Sequence, residues 1–205
     1  LVHRGEVRIC GIADRHIFFP PYFVELGHTM PSRAGADVID ELVSVFTQAV
    51  EALGIHTGAA KGDVFYSSRG PVIGEIAARL SGGYMSGWTF PYSCGVEVTE
   101  GALNIAVGLP PGDLRPRRRW TSAERAFISI PGRVAEVLGA GEAEKIEGVR
   151  NVFIRAEKGA AVKFPENNVE KCGNIITALP DPDAAVRAAE KAVSRIFIRL
   201  IPGGA

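Results

Sequence analysis

The segment Lys61 to Gly83 constrains this chain more than any other. Gly62 to Tyr66 and Pro71 to Ala78 read as strands, and Ser67-Ser68-Arg69-Gly70 between them reads as a turn, so the segment is expected to form a hairpin. A hairpin symmetric about Arg69 sets Asp63 directly opposite Glu75. Directly opposed residues hold their Cβ atoms about 4.5–5.5 Å apart. Two carboxylates at that distance repel unless a positive charge lies between them. A hard divalent cation meets that need, because Mg²⁺ takes one or two protein carboxylates and completes its shell with phosphates and water. Arg79 shares the face by strand parity and offers a guanidinium fork for phosphate or carboxylate oxygens. The plain alternative is a solvated acidic pair on an exposed hairpin, and a one-residue slip in register would put the carboxylates on opposite faces.

The rest of the chain mixes helix and strand signals. Val38, Ile39, Leu42, Val45, Phe46, Ala49, Val50 and Leu53 recur at spacings of three and four. This predicts a helix over 36–53, acidic in its early turns and ended by Gly54. Val2 to Asp14 reads as strand with a turn at Gly5-Glu6, Pro20-Pro21 interrupts, and Tyr22 to Leu26 is extended again. Gly27-His28-Thr29-Met30-Pro31-Ser32 reads as loop, and Val96 to Val107 as a second, weaker helix. Residues 108–122 hold three prolines, two glycines and the arginines 115 and 117–119, and read as a boundary. Short strands are expected at 126–130, 133–138, 149–156, 160–164 and 174–178. A helix follows over 181–195, with Asp181 as its cap and Pro182 in its first turn, and a strand at 196–201 closes the chain. The expected fold class is α+β in two lobes, residues 1–108 and 125–205, joined by a linker or excursion loop at 109–124.

Composition excludes several functions. Lys+Arg and Asp+Glu both number 23, so no general basic excess exists to neutralise nucleic-acid phosphates. No apolar run approaches the roughly 18–20 residues of a membrane span, and the opening residues read as strand, so no signal peptide is expected. Cys10, Cys94 and Cys172 are odd in number and widely spaced, which fits a reducing, cytoplasmic setting rather than a disulfide scaffold.

The run Gly70-Pro71-Val72-Ile73-Gly74-Glu75-Ile76-Ala77-Ala78-Arg79-Leu80-Ser81-Gly82-Gly83, with Asp63 on the preceding strand, resembles the metal-binding signature of the ATP-grasp superfamily. The upstream pieces "GIADRH", "YFVELGHTMPS" and "ALGIHTGAAKGDV" follow the order found in that family. The resemblance covers about residues 2–100. Residues 125–200 resemble, more loosely, the C-terminal lobe of carbamoyl-phosphate-synthase-like and biotin-carboxylase-like members. Ala77 stands where many members have Asn, although peptide-forming amino-acid ligases also read Glu-x-Ala-x-Arg. The resemblance implies the C-terminal part of an ATP-grasp fold, an antiparallel sheet with packed helices, followed by a smaller strand-rich α+β lobe. It also implies a ligase that uses ATP and Mg²⁺, or Mn²⁺, to activate a carboxylate as an acyl phosphate for attack by an amine or similar nucleophile. By position, Asp63 and Glu75 hold the metal and Arg79 contacts the transferred phosphoryl group or the acyl phosphate. Lys61 reaches a phosphate or pairs with Asp63, and the backbone of Gly82 and Gly83 approaches the substrate.

Family members carry an N-terminal domain and a nucleotide clamp before the segment that begins here at Leu1. The expectation is therefore a C-terminal half that does not turn over ATP alone and whose partners are its own missing N-terminal half and small carboxylate and amine substrates. The alternative from a different class is a degenerate remnant that serves as a binding or scaffold module. No nucleic acid or membrane partner is expected, and a homodimer is compatible with the C-terminal lobe without any residue pattern that marks it. His28 lies near the family's active site, as a substrate or cofactor contact or as a histidine satisfied by loop backbone. His16 reads as a surface turn residue, Trp88, Phe90 and Tyr92 as a pocket wall or core, and the arginine cluster as solvated linker or as a grip on an anionic substrate or partner.

Overall fold

The computed structural model describes residues 1–201. In chain order the strands are β1 Val2–His3, β2 Glu6–Val7, β3 Asp14–Phe18, β4 Val24–Met30, β5 Lys61–Ser67, β6 Gly70–Ala77, β7 Thr121–Phe127, β8 Gly132–Leu138, β9 Val149–Ile154, β10 Ala161–Val162, β11 Gly173–Leu179 and β12 Phe197–Ile201. The helices are α1 Ala36–Ala52, α2 Phe90–Cys94, α3 Val98–Ala106, α4 Ala140–Glu144 and α5 Pro182–Val193, with a π-helical turn at Met85–Thr89 before α2. The result is α+β, with every strand pair antiparallel.

Contacts divide the chain into two units, residues 1–12 with 32–118 and residues 13–31 with 119–205. The division near 119 falls inside the boundary expected from the prolines and glycines. The first lobe, expected to run unbroken to residue 108, does not hold together, because β3 and β4 belong to the second unit. The reason is pairing: β4 adds to β7, which brings the β3–β4 hairpin into the later sheet.

In the first unit, α1 packs on the β5–β6 hairpin. Its apolar stripe faces the strands, Asp37 sits in its first turn, and Leu53 and a left-handed Gly54 end it. A Cβ on Gly62 would fall 2.5 Å from Cδ2 of Phe46, so only glycine lets the helix lie this close to β5. Tyr66 Oη donates to Glu41 Oε2 at 3.0 Å and ties the far end of the hairpin to the same helix.

The second unit is built on a five-stranded sheet in the order β3-β4-β7-β11-β9 and a three-stranded sheet in the order β10-β8-β12. Helix α5 crosses β7 and β11. It buries Ala185, Ala188, Ala189 and Ala192, and these small side chains let the helix approach the sheet. Asp181 caps α5 by accepting from the Ala184 amide at 2.5 Å, and Pro182 follows at a position that needs no donor. Phe127, Val134, Ala143, Ala156, Cys172, Ile175 and Ala192 form the core. Burying a large aliphatic side chain contributes about 1.5–3 kcal/mol, and Ile175 is fully buried. The segment expected as loop at 27–30 is strand, and β7 begins at Thr121, five residues before the expected Ala126. In both places one strand pair decides, since β4 and β7 supply each other's backbone partners from Gly27↔Arg125 to Met30↔Ser122.

Candidate functional site

The β5–β6 hairpin turns through Ser68 and Arg69, with Gly70 at φ +91° and Ser67 Oγ donating to the Gly70 carbonyl at 2.9 Å. Near the turn the pairs are Ser67↔Gly70, Phe65↔Val72 and Val64↔Ile73. That register, extended without interruption, would set Asp63 opposite Gly74 and Glu75 on the other face. Instead Gly74 is an extra residue in β6, a bulge that shifts the ladder by one and sets Asp63 opposite Glu75. The expected pairing is present, but its cause is the bulge and not a hairpin symmetric about Arg69. A Cβ on Gly74 would meet Cε2 of Phe65 at 2.6 Å and the Asp63 carbonyl oxygen at 3.3 Å. Glycine therefore suits the close approach at the bulge.

The two carboxylates converge on one cation. Lys61 Nζ lies 2.6 Å from Asp63 Oδ2 and 3.3 Å from Glu75 Oε1. Arg79 Nη2 reaches the same Glu75 oxygen at 3.7 Å, and its Nη1 donates to the Leu80 carbonyl at 3.0 Å. Lys61 and Asp63 are 17% exposed, whereas Glu75 and Arg79 are 52% and 56% exposed, so the outer pair is heavily screened by solvent. Gly82 has open space where a side chain would stand, and Gly83 and Tyr84 are both left-handed at φ +60° and +64°. They carry the chain into the π-helical turn, where Tyr84 meets Trp88 edge-on at 5.4 Å. Phe90 is buried in α2, and Arg118 donates to the Pro91 carbonyl at 2.9 Å, so part of the arginine cluster docks rather than lying solvated.

An ammonium held between two opposed carboxylates marks a point where positive charge is stabilised. The donor set fits a hard cation that takes two protein carboxylates and completes its shell elsewhere. It does not fit a structural zinc site, and among the described residues no group of three or more His, Cys, Asp or Glu is arranged to hold a metal.

His28 lies in the second unit, and its environment differs from the expected loop. It is buried in β4, with Nδ1 2.7 Å from Glu124 Oε2 and Nε2 3.2 Å from Glu25 Oε1. Carboxylates hold it, not loop backbone. Arg15 Nε donates to Glu25 Oε2 at 2.6 Å, and Asn174 Nδ2 donates to Glu124 Oε1. Burial pushes the His28 imidazole down, but hydrogen bonds and charge from Glu124 and Glu25 overcome this and raise it to about 9. Burial likewise pushes Glu25 up, and His28 and Arg15 bring it down to about 2. His16 is not a turn residue either: it lies in β3, with Nε2 2.8 Å from Thr29 Oγ1, and burial lowers its pKa.

Glu25, Glu124 and Asn174 escaped the sequence reading. Alternation puts Glu25 and His28 on opposite faces of β4, but the pairs His16↔Gly27 and Ile17↔Glu25 leave Leu26 as an extra residue. This second bulge returns Glu25 to the face of His28. Gly27, at φ +153°, was the available signal.

Comparison with solved structures identifies the fold. The chain matches phosphoribosylglycinamide synthetase from Anaerococcus prevotii with a TM-score of 0.87 and 18% identity, over 98% of this chain and 51% of that one. It matches the L-amino acid ligase from Bacillus licheniformis with a TM-score of 0.85 and 22% identity, over 98% of this chain and 50% of that one. The fold is that of ATP-grasp C-terminal domains. Residues 126–200 match the family described as L-amino acid ligase C-terminal domain 2. Carnosine synthase 1 of Gallus gallus is 32% identical over 108 residues, which are 52% of this chain and 12% of that protein. The chain thus spans about half the length of these structural relatives and about an eighth of the curated one. Among the described residues no helix is long and apolar enough to cross a membrane.

Proposed function

We propose that this chain contributes the metal-binding hairpin and C-terminal lobe of an ATP-dependent ligase that activates a carboxylate as an acyl phosphate for capture by an amine. The reading rests on one observation: Asp63 and Glu75 stand opposed across β5–β6 and share one cation, Lys61. The ATP-grasp fold and the matched ligase domain support it.

In this reading Asp63 and Glu75 hold Mg²⁺, or Mn²⁺, in place of the Lys61 ammonium. The bound metal and ATP supply phosphoryl transfer, with the metal offsetting charge on the phosphate oxygens. Lys61 is then released to neutralise a phosphate beside Asp63. Arg79, no longer needed against Glu75, presents its fork to the phosphoryl group or to the acyl phosphate. The backbone of Gly82 and Gly83, with no side chain in the way, lies open to the substrate. The remaining nucleotide contacts come from the half of the relatives' length that this chain does not span.

The test uses Mn²⁺ as a paramagnetic probe on the 205-residue chain, followed by calorimetric titration of a non-hydrolysable ATP analogue with Mg²⁺. Broadening of the Asp63 and Glu75 resonances, with that of Asp63 lost in Glu75→Ala, is the expected outcome. A hairpin that Mn²⁺ leaves sharp, or broadening that persists in Glu75→Ala, overturns the assignment and favours a scaffold role. Nucleotide binding that needs the same carboxylate links the metal to ATP.

A further inference from the structure

The buried row in the second unit runs across four adjacent strands. Arg15 on β3 pairs directly with His28 on β4, and His28 pairs directly with Glu124 on β7. Asn174 lies on β11 one step along the same face, since Glu124 pairs with Ile176. This is the face turned from α5, because Thr177, of opposite parity on β11, donates to the Ala185 carbonyl of that helix. The row also has a direction. Asn174 and Glu124 are sealed from solvent, His28 is 3% exposed, Glu25 is 11% and Arg15 31%.

Both ring nitrogens of His28 face carboxylate oxygens. An ionised carboxylate only accepts, so both contacts are hydrogen bonds only when both nitrogens carry protons. Such a ring has no lone pair with which to act as base, nucleophile or metal ligand. What it does is fix the oxygen beside it. One oxygen of Glu25 takes the His28 Nε2–H and the other takes Arg15, while Asn168 and Lys171 hold the backbone amide and carbonyl of Glu25.

We propose that Glu124 is the positioning residue of this row: by holding Nδ1–H it keeps His28 doubly protonated, and His28 Nε2–H in turn holds the buried Glu25 carboxylate ionised beside Arg15. Asn174 fixes the other Glu124 oxygen. The inference stands whether or not the hairpin of the first unit binds metal. Other charges also reach this row. Arg125 donates to the carbonyls of His28 and Glu124, Arg15 and Asp14 lie on β3 with the neutral-leaning His16, and Glu190 of α5 acts on Arg125. Of the groups that raise His28, only Glu124 and Glu25 contact its ring, and only Glu124 is fully buried.

The experiment is ¹⁵N and carboxyl-¹³C NMR on the whole chain through a pH titration. In the parent protein both His28 ring nitrogens are expected to be protonated at about pH 7.5, with a midpoint near 9. Glu124→Gln keeps the shape and removes the charge. It should lower the His28 midpoint by about one pH unit or more and raise that of the Glu25 carboxyl. Glu124→Asp, charged but one carbon shorter, should restore part of the shift. A merely structural Glu124 would lower the melting temperature and leave both midpoints in place, and that result overturns the proposal. A neutral His28 ring at about pH 7.5 in the parent overturns it too, without relying on any variant to fold.

Discussion

An alanine in place of Gly27 would press its Cβ into the Glu124 carbonyl oxygen and bring it within 3.2 Å of the Arg125 Cα. Both atoms are backbone of β7, a strand paired on both sides, so neither can rotate away. The φ of +153° adds a conformation that side-chain-bearing residues rarely adopt, at about 1–3 kcal/mol. Forcing a methyl group into packed surroundings adds about 1–3 kcal/mol more. The expected loss of about 2–6 kcal/mol is a large part of the 5–15 or so that a typical domain holds. Relief requires β4 to peel from β7 at Gly27↔Arg125, which draws His28 away from Glu124. The assay is urea unfolding in a Trp88→Phe background, so that Trp120 alone reports on the second unit. Gly141→Ala in α4, where a Cβ meets open space, serves as control and should raise stability by no more than about 1 kcal/mol. A Gly27→Ala chain as stable as that control would refute the claim that this bulge requires glycine.

The raised His28 pKa carries a sign. Its folded value of about 9 exceeds the ordinary 6.5, so the stability it contributes is whole below pH 6.5 and is lost as pH rises through 9. Glu25 runs the other way, whole above its ordinary 4.5 and lost as pH falls through about 2. The two shifts arise largely from one shared contact and do not add. The alkaline loss is expected to be about 3 kcal/mol, read as falling urea midpoints between about pH 6 and 9.5, and a flat profile there contradicts it. Asp181→Ala removes the α5 cap and should cost about 1 kcal/mol by the same unfolding assay, with Asp181→Ser recovering most of it.

What was legible in the sequence was whatever local periodicity or turn chemistry controls. Helix α1 shows its stripe and its Gly54 terminator, and α5 shows its Asp-Pro start. The hairpin showed its turn, and the family signature named the carboxylates. The bulges were not legible as such. One extra residue reverses every side chain beyond it, and nothing in a single sequence distinguishes Gly74 as a bulge from Gly70 as a turn. The same limit hid the row around His28. Glycine, threonine and proline between 27 and 31 look like loop, and only the long-range partner β7, about a hundred residues away, makes them strand. Glu124 and Asn174 are buried polar residues that gain meaning only once β4, β7 and β11 are neighbours.

The backbone passes from one unit to the other after residues 12, 31 and 118, so neither is a continuous stretch of chain. This restricts how such a protein can be cut or recombined. A gene break at residue 118 would leave the later segment without β3 and β4, and β7 would become a sheet edge with a full row of unpaired amides and carbonyls. The matched domain at 126–200 lies wholly inside the second unit yet omits those two strands. A C-terminal lobe of this kind is therefore not a cassette. Recombination that moves it intact must also carry residues 13–31, and the two stretches are expected to be inherited together.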